Sequence, residues 1–185
     1  IFDKYGISGE MNIFNEDSLM IPSTKSYNLI IGNPPYLGEK NNREIFEKIR
    51  LTEFGQKYYE GKMDYLYFFI EKGIELLKKD GVLSYITTNY WLRADGANKL
   101  REAIKENTYF YYINNINKSV FKDALGQHNM IFTLTKDKIN EFDLVINEQK
   151  IKVKNNKLFD TNNKISLMNE DDYEFCEKVK RKAQF

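Results

Sequence analysis

The sequence predicts an α/β fold that ends in an antiparallel hairpin, on three observations. Short apolar runs bounded by Ser, Thr, Pro and Gly alternate with stretches of helical periodicity. The longest periodic stretch stops at Lys78-Lys-Asp-Gly81, directly before another apolar run, and the last runs are joined by segments too short for a crossover helix. The 185 residues suit one core, with 42% hydrophobic and 15% aromatic residues to fill it. The 28 basic residues balance 27 acidic ones to a net charge of +1, which excludes polycation binding driven by bulk charge, so any nucleic-acid contact is local. A single Cys176 and a single His128 exclude a disulfide framework and a Cys/His zinc site within these residues; no metal is expected, and a reducing, cytoplasmic compartment fits. The longest apolar-aromatic run, Tyr65 to Ile70, falls far short of the ~20 residues of a membrane-spanning helix. The opening Ile-Phe-Asp-Lys-Tyr-Gly has no signal pattern and no initiating Met, which suggests a piece of a larger protein.

Residues 11 to 15 and 27 to 31 read as short buried strands. Between Asn42 and Tyr59, Ile45, Phe46, Ile49 and Phe54 recur at helical spacing, with Gly55 as a stop signal. From Asp64 to Lys79 a second helix puts Leu66, Phe69, Ile70, Gly73, Ile74 and Leu77 on one stripe, with Gly81 as its terminator. Val82 to Thr88 reads as a strand, and Ala97 to Lys105 as a helix burying Leu100, Ala103 and Ile104. Tyr109 to Ile116 and Asn129 to Thr135 read as two strands in antiparallel relation. Asp143 to Lys154 alternates about an Asn147-Glu-Gln turn like a hairpin, and Glu170 to Lys182 reads as a terminal helix.

The chemistry concentrates in Tyr27-Asn-Leu-Ile-Ile-Gly-Asn-Pro-Pro-Tyr36, an apolar strand that breaks into Asn33, Pro34, Pro35 and Tyr36. Adjacent prolines fix two φ angles and remove two backbone donors, leaving a stiff loop that offers carbonyl acceptors. An amide side chain followed by such carbonyls suits a substrate amino group, whose hydrogens the Asn33 oxygen and the Pro34 carbonyl can accept. Drawing both hydrogens toward acceptors frees the nitrogen lone pair, and Tyr36 adds a flat face for stacking. Asn-Pro and Pro-Pro also mark ordinary turns; the end of a strand in an open α/β sheet is, however, where such folds place ligands.

Over about residues 10 to 136 the chain resembles the amino-methyltransferases that use S-adenosylmethionine and carry an Asn-Pro-Pro-Tyr signature, specifically the adenine DNA methyltransferases of restriction-modification and phage-defence systems. The stretch Met63 to Leu92 and the stretch Ser119 to Lys136 carry the likeness beyond the four-residue signature. The resemblance implies a partial Rossmann-like class I methyltransferase sheet of order 3-2-1-4-5-7-6 with helices on both faces, and methylation of the exocyclic N6 of adenine. It makes Asn33, Pro34, Pro35 and Tyr36 the catalytic loop, with a flipped base of double-stranded DNA stacked between Tyr36 and Phe121. Asp17 matches the acidic position that meets the cofactor's adenine, beside Asn33; the residue equally suits a cap or turn. Phe121 equally suits the core. Lys118 and Lys122 are candidate phosphate contacts, whereas Lys178, Lys180, Arg181 and Lys182 read first as a solvated helix face. His128 and Cys176 receive no catalytic role.

The family's Gly-rich cofactor loop and the acid that follows its second strand are not visible. The reading is therefore residues 1–138 as an incomplete catalytic domain, catalytically silent on its own if the cofactor site is lost, and 139–185 as an appendage leading to a target-recognition domain, with a fused nuclease possible in the parent. The missing strands leave one sheet edge exposed, so either residues 9 to 20 are displaced or the chain pairs as a homodimer. Methylation of a protein glutamine amide is the alternative within enzymes, and a non-catalytic binding module the alternative outside them.

Overall fold

A computed structural model of the chain describes residues 13–121, 127–168 and 170–182. Its strands are β1 (Tyr27–Gly32), β2 (Leu77–Thr88), β3 (Tyr109–Asn115), β4 (Asn129–Thr135), β5 (Glu141–Ile146) and β6 (Gln149–Lys154), in one sheet of order β1-β2-β4-β3-β5-β6. β1 and β2 are parallel and joined through α1 (Arg43–Arg50), α2 (Glu53–Tyr58) and α3 (Tyr65–Leu76), as a parallel pair requires. β2 pairs antiparallel with β4, and β4 antiparallel with β3, which follows α4 (Asn98–Asn107). The first four positions thus run in the order expected for the 4-5-7-6 half of the family sheet. β5 joins β3 in parallel and returns through β6, and the hairpin turn holds Asn147 and Glu148 at φ of 49° and 67°. This mirror-image turn matches the twist of the flanking strands. The hairpin is not a separate flap, since Phe142 and Leu144 are buried in the same core as Phe110 and Ile113. The C-terminal helix α5 spans Glu170–Lys182.

Several expected elements shift for identifiable reasons. Residues 13–15 form no strand; Ile13 and Phe14 are 81% and 69% exposed, and only Leu19, in a 3-10 turn (Ser18–Met20), reaches the core. Residues 11 and 12 lie outside the described part. The helix expected from Asn42 to Tyr59 is two helices broken at Leu51 and Thr52, and Thr52 caps the second by accepting from Gly55 N at 3.0 Å. Gly55 is therefore not a terminator: it sits inside α2 because a Cβ there would lie 1.9 Å from the Ile49 carbonyl oxygen. Gly81 is likewise not a helix stop. The strand begins at Leu77, and at Gly81 a Cβ would meet the Tyr27 carbonyl oxygen at 2.9 Å, so the residue lets β1 and β2 close together.

α3 starts where Asp64 accepts from Leu66 N at 3.0 Å, and Gly73 lets it lie against Leu83 and Tyr85 of β2. That face of the sheet, with Phe132 and Ile113, holds the core that Trp91, Leu100 and Ile104 complete. One carboxyl is misplaced in it. Glu71 of α3 is 1% exposed, and neither side-chain oxygen has a hydrogen-bond partner. Burial, with Glu60 nearby, holds it well above the ordinary carboxylate range, so the folded protein keeps a proton that the unfolded chain loses. Stability should therefore fall as pH rises from about 4.5, the unfolded value, through the raised folded value. Glu71→Met should raise the melting temperature at neutral pH and flatten that slope; parallel pH profiles of the two proteins would refute the assignment.

The two edges of the sheet differ. β6 carries Lys150, Lys152 and Lys154, of which Lys150 and Lys152 bond Asp143 at 2.7 and 2.6 Å. β1, at the other edge, has no charged residue and no proline, and Leu29 and Ile31 are 60% and 71% exposed. No helix among the described residues is long and apolar enough to cross a membrane.

Candidate active site at the end of the first strand

β1 leaves the sheet after Gly32, which registers with Tyr85, because Pro34 and Pro35 bring no N–H to continue the ladder. Asn33 and Pro35 are exposed, Pro34 is buried, and Tyr36 is half-buried against the core. The Tyr36 hydroxyl lies 2.9 Å from Asn33 Oδ1 and 3.0 Å from the carbonyl oxygen of Ile86 in β2. Beyond the loop, Leu37 N donates to Asp64 Oδ1 at 3.1 Å and Tyr65 N to the Leu37 carbonyl at 2.9 Å, so the loop is tied to the start of α3. Burial, and secondly the charge of Asp64, push the Tyr36 hydroxyl up to about 12, so it stays a protonated donor at physiological pH.

Beside the loop lies a cavity of about 480 Å³ whose walls include Ser18, Ile21, Pro35, Phe69 and Tyr85. Gly32 and Gly73 both face the Tyr85 ring, with a Cβ at Gly73 falling 3.0 Å from its hydroxyl oxygen. Asp17 is adjacent in sequence; its Oδ1 accepts from Leu19 N at 3.0 Å, capping the 3-10 turn that brings Ser18 to the cavity.

The same end of the sheet receives the second aromatic. Thr88 at the end of β2 registers with Asn129 at the start of β4, and the preceding segment carries Phe121, which is 38% exposed. Asn129 is fully buried, and its Oδ1 accepts from Val120 N at 3.1 Å, while Ser119 Oγ donates to the Phe121 carbonyl at 2.9 Å. Asn129 thus pins the backbone that presents Phe121, a role that sequence reading missed because it saw only a strand-starting polar residue. Asn129 N bonds the Lys118 carbonyl and Asn117 N the Asn129 carbonyl, closing the same segment against β4. His128 Nδ1 lies 3.0 Å from the Asn117 carbonyl oxygen and its ring meets Tyr90 edge-on, a local tie. Lys118 is exposed on a cavity of about 490 Å³ with Asn114, Asn115 and Asn117. Lys122 and the side chains of Lys180 and Arg181 lie outside the described residues; Lys178 pairs with Glu174 at 3.9 Å, and Cys176 Sγ contacts Met168 Sδ at 4.0 Å.

The first four strands of this sheet, with the loop leaving β1 at the same end, make it part of a class I methyltransferase fold. The Eco57I restriction-modification methylase family matches residues 3–121, and the chain belongs to that family. It is 29% identical over 119 residues to the type II restriction enzyme and methyltransferase RM.Eco57I of Escherichia coli, covering 63% of this chain and 12% of that protein. It is 30% identical over 140 residues to the type II methyltransferase M.HincII of Haemophilus influenzae, covering 73% of this chain and 28% of that protein. The chain therefore spans well under a third of either relative. Among solved structures, the type I restriction-modification methyltransferase subunit from Streptococcus thermophilus superimposes with a TM-score of 0.54 at 16% identity, over 89% of this chain and 34% of that one.

Proposed function

We propose that the chain is the amino-accepting part of a restriction-modification DNA methyltransferase that moves a methyl group from S-adenosylmethionine to the exocyclic N6 of adenine. The carrying observation is the loop itself: Asn33 is exposed at the end of β1, followed by two prolines that cannot donate, and anchored behind by Tyr36 and Asp64. In this reading Asn33 and the Pro34 carbonyl take the two amino hydrogens, and Tyr36 and Phe121 stack on the flipped base. Direct in-line displacement needs no covalent enzyme intermediate. S-adenosylmethionine supplies, when bound, a methyl group on a sulfonium sulfur. The cavity beside the loop would take its adenine half, with Ile21, Phe69 and Pro35 as apolar walls and Asn33 in its lining, and Asp17, next to the lining residue Ser18, as the acidic candidate. No glycine-rich cradle for the methionine half stands among the described residues. Residues 1–138 then belong to the catalytic part, 139–185 lead toward the part that reads DNA sequence, and the whole works in the cytoplasm.

The test is incubation of the complete protein that carries this chain with labelled S-adenosylmethionine and duplex DNA, followed by nucleoside mass spectrometry, with calorimetric titration of the cofactor alongside. N6-methyladenine with saturable heat is the expected result. Label appearing in protein glutamine and not in nuclease-sensitive material would replace this reading.

The open edge has its own proposed partner, a second copy of the chain. Tyr27 to Gly32 is uncharged, and antiparallel pairing of two β1 edges would cover Leu29 and Ile31 on both, residues that also line the cavity beside the loop, so dimer and cofactor would compete there. Sedimentation should show a concentration-dependent dimer that Ile31→Lys abolishes; a monomer at all concentrations would remove the proposal.

A further inference from the structure

We infer that the hydroxyl of Tyr36 is a positioning group, distinct from any stacking role of its ring, that fixes which end of the Asn33 amide faces the substrate. The inference rests on the proposed reading of Asn33 as the acceptor of an amino group.

A tyrosine hydroxyl has one proton. Here its oxygen lies within 3.0 Å of two groups that Asn33 and Ile86 present, an amide oxygen and a backbone carbonyl. One proton cannot satisfy both. The Ile86 carbonyl lies one residue past the last β1–β2 register pair, Gly32 with Tyr85, where a continuing strand would bring a backbone donor. Pro34 and Pro35 bring none, so Tyr36 is the donor that replaces them. Leaving that part-buried carbonyl unpaired would cost more than the hydrogen bond is worth. The proton therefore goes to Ile86, and the hydroxyl lone pair is left facing the Asn33 amide.

A half-turn of the amide exchanges its nitrogen and oxygen ends without moving the rest of the side chain. With the nitrogen end inward, Asn33 Nδ2–H donates to Tyr36 Oη, Tyr36 Oη–H donates to the Ile86 carbonyl, and all three groups are paired. Oδ1 then faces outward from the strand end, the orientation an incoming amino group requires. With the oxygen end inward, the exposed end would be an NH2, which repels an amino group. The relay therefore selects the acceptor face of Asn33, and it does so through a backbone atom of the central sheet. The raised pKa keeps the hydroxyl in the protonated form that the relay needs.

The test compares the full chain with Tyr36→Phe, which keeps the ring and removes the hydroxyl. Side-chain amide NMR, with Asn33 assigned by its loss in Asn33→Asp, reads the relay without any reaction. The expected result is one protected, downfield-shifted Asn33 Nδ2 proton in the parent chain and free-solvent behaviour in Tyr36→Phe, with the Asn129 and Asn155 amide signals unchanged. Unprotected Asn33 protons in the parent chain overturn the inference, whatever the variant does. In the methylation assay, Tyr36→Phe should lower kcat about tenfold, the scale of one lost orienting hydrogen bond, with KM for DNA changed less than about twofold. A fall confined to KM, or no fall, overturns the positioning role. If neither complete protein transfers methyl groups, the methyltransferase reading fails, while the amide signals of this chain still decide the relay.

Discussion

Under the proposed function, replacing Asn33 by alanine in the complete protein should lower methyl transfer to DNA at least about 100-fold, the range found when one preorganised polar group is removed from a reacting centre. Asn33 is exposed and its backbone already lies outside the β1–β2 ladder, so the substitution removes no core contact. Its side chain bonds the Tyr36 hydroxyl, which retains the Ile86 carbonyl as partner. The melting temperature should stay within a degree or two, about the change expected for a surface substitution. Transfer and thermal melting measured on the same preparations separate the possibilities. Activity within about tenfold of the parent would move the amino-accepting role elsewhere.

The largest expected loss of stability is at Arg101. This α4 side chain is 1% exposed and donates to three backbone carbonyls: Asn163 at 2.6 Å from Nε, and Trp91 and Ala94 at 2.8 and 2.7 Å from one terminal nitrogen. Those carbonyls belong to two irregular segments, the β2–α4 connection for Trp91 and Ala94 and the stretch before α5 for Asn163, and among the described residues Ala94 alone has a second donor, Ala97 N at 3.3 Å. The planar fork reaches all three at once, which a lysine cannot. Arg101→Met should cost about 3 kcal/mol or more in urea unfolding, since each orphaned buried acceptor is worth ~1–3 kcal/mol. Arg101→Lys should recover only part of it. A loss below about 1 kcal/mol would mean that water reaches the carbonyls readily.

What could be read from the sequence follows the range of the interactions involved. β4 and α5 have the bounds their patterns predict, and the hairpin turns where Asn147-Glu-Gln says it should, because alternation, periodicity and turn chemistry are local properties. The glycines Gly55 and Gly81 were legible only as breakers. Their reason is close approach to Ile49 and Tyr27 backbone, contacts that no local pattern encodes. Residues 11 to 15 look like a strand by composition, yet a strand needs a partner, and of the described part, 13 to 15, Ile13 and Phe14 are exposed. At the site, the stiffness of Asn33 to Tyr36 follows from two prolines in the sequence. The anchoring of that loop to Ile86, 50 residues on, and of the Phe121 segment to Asn129 needed the fold.

The contrast between the two sheet edges also bears on stoichiometry. Lysines along β6 disfavour strand addition there, even with Lys150 and Lys152 paired to Asp143, whereas β1 is uncharged. A contact of β1 with β1 is isologous: it consumes the same surface on both partners. In the proposed dimer, lysines along β6 disfavour addition of a third copy at that edge, so the assembly would stop at two.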